Sequence, residues 1–70
     1  MYYLIEKTVT TSGTAKAIWD KDTLDLATSQ LHQTLASAMV NPDVSSCLCM
    51  VMDERGVVVR HDYWEREVTS

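Results

Sequence analysis

The chain reads as an α+β domain of two layers, a four-stranded, mostly antiparallel sheet with one helix packed on one face. Three observations predict it. The middle of the chain carries apolar residues at helical spacing, and runs rich in β-branched and aromatic residues flank it on both sides. Turn chemistry divides each flank into two. At 70 residues the chain is one small domain, 1–70. Its core is thin, because a chain this short buries only about 60% of the surface it exposes unfolded.

Residues 2–11 are rich in Tyr, Ile, Val and Thr, which suit a pleated, half-buried surface. Ser12-Gly13 is a turn, and 14–19 is a second strand whose Lys16 and two alanines fit an edge better than a centre. Asp22 or Thr23 caps the helix predicted over 23–40, and Asp25 sits in the first turn, where the helix dipole favours negative charge. Leu24, Ala27, Thr28, Leu31, Leu35, Ala38 and Met39 form its apolar stripe, with Gln30, Gln33 and Ser37 on the opposite side. The helix stops at Asn41-Pro42, since proline disfavours helical geometry in the residue before it.

Beyond a short loop, strands at 46–53 and 57–64 form a hairpin whose turn places Gly56 in the left-handed region. The tail from Glu65 to Ser70 is polar and expected to fray. The order is β-β-α-β-β. Because the helix returns the chain, a spatial order of 2-1-3-4 makes every pairing antiparallel and leaves the weak second strand at an edge. Order 1-2-3-4, with one parallel pair, is the alternative.

If Asp53 faces Val57 in the hairpin, then Cys49 faces His61 and Cys47 faces Tyr63. Alternation puts Cys47, Cys49, Val51, Val57, Val59, His61 and Tyr63 on one face, which the helix covers. The other face gathers Leu48, Met50, Met52, Val58, Arg60, Asp62 and Trp64. An apolar sheet face without an intramolecular cover meets another chain, and a twofold homodimer is the common solution. Arg60 and Asp62, opposite in sign, could pair across the axis.

Lys+Arg is 6 and Asp+Glu is 10, a net charge of −4, which argues against nucleic acid because phosphate neutralisation supplies general affinity there. Two cysteines two residues apart are no secreted disulfide framework. Glu6 and Lys7 follow directly on Met1 to Ile5, which does not resemble a signal peptide, and no apolar run is long enough to span a membrane. The expected compartment is the cytoplasm.

Cys47 and Cys49, with His61 across the hairpin and His32 on the helix, could supply the two thiolates and two imidazoles of tetrahedral zinc. A C-x-C within a strand is not the usual knuckle, however, and buried free cysteine is a common core residue. Asp20, Asp22 and Asp25 lack the glycine and bidentate glutamate of a calcium loop and read as capping groups. Gly13 and Gly56 stand alone, so no phosphate loop exists, and Ser45 and Ser46 have no histidine base at a recognisable spacing. No catalytic residue and no cofactor is expected.

Tyr3 to Thr8, His32 to Pro42, Cys47 to Val51 and Trp64 give the chain a resemblance to small bacterial proteins of unknown function, some of prophage type. These are fold-making pieces. What the resemblance implies is a stand-alone small domain, with no activity and no site transferred. The expectation is a non-enzymatic module that self-associates through the face of Leu48, Met50, Met52, Val58 and Trp64. The alternative is a small metal- or ligand-binding module using Cys47, Cys49 and His61.

Overall fold

The structure, a computed structural model, describes residues 1–67. Strands β1 (Tyr2–Thr10), β2 (Gly13–Lys21), β3 (Val44–Met52) and β4 (Val58–Glu65) surround one helix in sequence, α1 (Leu24–Val40). The sheet order is β2-β1-β3-β4 and every pairing is antiparallel. That is the favoured 2-1-3-4 arrangement, with β2 at an edge.

Thr23 is the N-cap, its Oγ1 accepting from the Leu26 amide at 3.1 Å. Asn41 closes the other end, its amide donating to the Ala38 carbonyl. Of the expected stripe, Ala27, Leu31, Leu35 and Ala38 are buried, and Leu24 packs partly against them. Met39 is instead exposed, as is Leu26. Beneath the helix lie Leu4, Val44, Cys47, Cys49 and Val51, which complete a core of nine residues.

Two bulges decide what joins that core. Between β1 and β3 the register slips after Val9↔Ser46 to Thr10↔Val44, so Ser45 is the extra residue and Val44 turns inward. The Ser45 hydroxyl donates to the Val9 carbonyl at 3.1 Å, holding the irregularity. The second bulge lies in the hairpin. Its turn is as expected: Gly56 has φ +83 and its amide donates to the Asp53 carbonyl, while the Asp53 amide donates to Val57. The Asp53 carboxylate accepts from the Arg55 side chain and the Val57 amide, which hold its pKa below the usual carboxylate range.

Past the turn, Met52 pairs with Val58 but Val51 pairs with Arg60, so Val59 is extra. Every residue of β4 beyond it is inverted relative to the expected register. Cys49 faces Asp62, Cys47 faces Trp64, and His61 faces Met50. The gain is visible at Trp64, which packs against the core, with the Arg66 guanidinium 5.0 Å from its ring centroid. Arg66 also donates to the carbonyls of Val44 and Asn41, so the tail is tied to the helix C-terminus as far as this residue. The fraying expected from Glu65 onward therefore does not hold through Arg66. Residues 68–70 lie outside the described residues.

Candidate functional site

The helix covers one face of the sheet and leaves the other open. Alternation from the buried Leu4 assigns Tyr3, Ile5, Lys7 and Val9 of β1 to the open face. The ladders then carry four rows across it. Asp20, Tyr3, Met52 and Val58 form the first, and Ile18, Ile5, Met50 and His61 the second. Lys16, Lys7, Leu48 and Tyr63 form the third, followed by Thr14, Val9, Ser46 and Glu65.

The middle of this face is apolar. Ile5, Leu48, Met50 and Met52 are half-buried by their neighbours alone, and Ile18 is 70% exposed. A shallow depression of about 170 Å³ lies between Ile5, Leu48, Met50 and the side chains of Lys7 and Lys16. Those two lysines are directly opposed across β1 and β2, a like-charge pairing that costs stability unless an anion approaches. Neither has an ion-pair partner among the described residues. At the far corner the Tyr63 hydroxyl donates to the Glu65 carboxylate at 3.0 Å, which raises the tyrosine pKa.

The composition of the open face thus differs from the expected one. Leu48, Met50, Met52 and Val58 lie on it, but Arg60, Asp62 and Trp64 do not: the Val59 bulge turns them to the helix side. His61 and Tyr63 take their places. The sequence reading overlooked the contribution of β1 and β2, namely Tyr3, Ile5, Ile18 and the lysine pair. Their alternation around Leu4 is the signal that finds them.

The same inversion separates the proposed metal ligands. Cys47 and Cys49 are fully buried under the helix with their sulfurs 3.8 Å apart, while His61 follows Met50 onto the open face. His32 is exposed on the helix. A shallow cleft between α1 and β4 is bordered by His32 and by the β4 run from Val59 to Asp62, but neither cysteine reaches it. Among the described residues no three His, Cys, Asp or Glu converge in a metal-binding cluster. Burial pushes the Cys49 thiol up to about 12, and the adjacent Cys47 adds to the shift, so Cys49 behaves as core and not as nucleophile. No described helix is long and apolar enough to cross a membrane. The chain matches no family model, no curated protein and no solved structure.

Proposed function

We propose that this protein is a non-enzymatic module that associates with a second copy of itself through the open sheet face. The observation that carries the reading is the centre of that face, where Ile5 and Met50 pair across strands beside Ile18, Leu48 and Met52 with no second layer above them among the described residues. The cytoplasm is the compartment this reading adopts, because the cysteine usage offers no disulfide framework.

Charge and area both favour a second copy as the occupant. A twofold axis parallel to the strands sets β1 and β2 of one copy over β3 and β4 of the other. Ile5 then meets Met50 of the second copy, and the Lys7–Lys16 pair lies beside the corner that holds Glu65. Each lysine pair is relieved by an acidic group, twice over. Four strands at ~4.8 Å spacing and ~30 Å length present roughly 570 Å² per copy. The pair would bury about 1,100 Å², the low end for a specific interface, so association in the micromolar range is expected.

Sedimentation of wild type and Met50→Glu at ~100 μM tests it. Wild type is expected to be dimeric and Met50→Glu monomeric, with helical circular dichroism unchanged. Charge reversal at Arg60 or Asp62, both on the helix side, is expected to leave the assembly intact. A monomeric wild type at that concentration refutes the proposal.

A further inference from the structure

On the other face of the sheet, a groove of about 340 Å³ runs between β2 and α1, on the side where the helix lies. It exists because the core centres on β1 and β3, through Leu4, Cys47, Cys49 and Val51, and takes no buried residue from β2. Along its helix-facing side β2 offers Ala15 and Ala17, paired with Thr8 and Glu6, and then Trp19, paired with Leu4. The alanines leave the space unfilled. The Trp19 indole forms a wall of the groove and is 43% exposed.

The opposite wall is a flank of the helix, formed by Gln30, Gln33, Thr34 and Ser37. These four include Gln30, Gln33 and Ser37, which the sequence pattern put on the far side of the helix. Their spacing is i, i+3, i+4, i+7, the stripe by which a helix normally extends a core, and every one carries an amide or a hydroxyl. In a protein whose core holds so few residues, a polar stripe over a sheet gives up burial it could have had. The floor adds a carboxylate. Glu6 is half-buried, accepts from the Thr34 hydroxyl, and has no cation paired with it among the described residues. Its other oxygen retains acceptor capacity.

The walls also select charge. The Lys21 ammonium already lies 5.6 Å from the Trp19 ring centroid, so a cationic ligand would meet a like charge there. An anionic one would meet Glu6. With one charge of each sign beside the groove, Lys21 and Glu6 offset each other, which favours a neutral ligand with an apolar face for the indole and groups that both donate and accept, to match amides and hydroxyls. We propose that this groove binds a neutral carbohydrate, with a sugar ring stacked on Trp19 and its hydroxyls bonded to Glu6 and the side chains of the helix flank. The volume is at the small end for ligand sites, which suits one or two sugar units. The inference is independent of self-association, since it uses the opposite face.

The test is an amide and indole NMR titration of the full chain with glucose, N-acetylglucosamine, maltotriose and chitotriose at about 10 mM, above the millimolar dissociation constants of shallow sites. One of these is expected to shift the Trp19 indole and the Gln30 and Gln33 side-chain amides together and saturably. Trp19→Ala and Glu6→Gln should each weaken binding about tenfold or more. Ser37→Tyr, which fills the groove from an exposed helix position, should abolish it and serves where Trp19→Ala disturbs the edge strand. The proposal is overturned by absence of saturable shifts at the groove, by binding that survives in Ser37→Tyr, or by tighter binding of tetramethylammonium than of any sugar.

Discussion

Trp64→Ala is expected to destabilise the protein by about 3–4 kcal/mol, while Tyr63→Ala, one residue away, costs under about 1 kcal/mol. The difference follows from the Val59 bulge, which puts Trp64 against the core and leaves Tyr63 on the open face, 53% exposed. An enclosed Trp buries roughly 150–250 Å², and a half-buried one about 100–120 Å², worth ~3 kcal/mol at 25–30 cal/mol per Å². The Arg66 guanidinium over the ring adds ~0.5–1 kcal/mol at this partly exposed site. Truncating Tyr63 removes mainly a solvent-exposed bond to Glu65. A chain of this length has a total stability of about 3.5–10 kcal/mol, so Trp64 holds a large share of it. Urea melts at ~1 μM protein, where self-association contributes little, give both values. A Tyr63→Ala cost equal to or above that of Trp64→Ala would refute the register and restore the one in which Cys49 faces His61.

Leu31→Ala and Leu35→Ala are each expected to cost about 2–5 kcal/mol, because both side chains sit in the core between helix and sheet; losses below about 0.5 kcal/mol in urea melts would mean that the helix presents another face. The Cys49 thiol, raised to about 12 when folded, contributes stability that is whole below the thiol's unfolded value and is lost as pH climbs toward 12. Urea melts from pH 8 to pH 11 should show wild type losing stability above pH 9 more steeply than Cys49→Ala, and parallel slopes would contradict the burial of the thiol.

Most of the fold was legible because it rests on local signals that agree. Thr23 and Pro42 bracket the helix, Gly56 fixes the hairpin turn, and the poor edge-like composition of β2 selects the order β2-β1-β3-β4 over its rival. The face of β4 was not legible. Val57, Val58 and Val59 carry no alternation to set the register, so one residue slipped into a bulge reverses all that follows. The choice is made by tertiary packing. Inverting β4 brings Trp64 and the Arg66 caps to the open end of the core, and exposes His61 and Tyr63 in exchange. The candidate metal set fell with that inversion, because it needed Cys49 and His61 on one face. The open face survived in part, since Leu48, Met50 and Met52 depend only on β3, whose alternation is strict from Ser46 to Met52.

The two proposed surfaces occupy opposite sides of one sheet, and this constrains what the protein can do with both. If copies stack through their open faces, the helices become the outer layers and each groove between Trp19 and the helix flank points away from the interface. Assembly then cannot block the groove, and an occupied groove cannot pry the sheets apart. Met50→Glu should therefore leave sugar titrations unchanged, and Ser37→Tyr should leave the dimer intact. What stacking does supply is two outward-facing sites on one particle. Shallow sites of millimolar affinity gain most from such pairing when the ligand repeats, because the second binding event becomes intramolecular. A polymeric glycan long enough to engage two dimers would be cross-linked, while its monosaccharide would only occupy the grooves. On this logic a dimer would add avidity to a weak site, and the sheet between the two surfaces would keep each from interfering with the other.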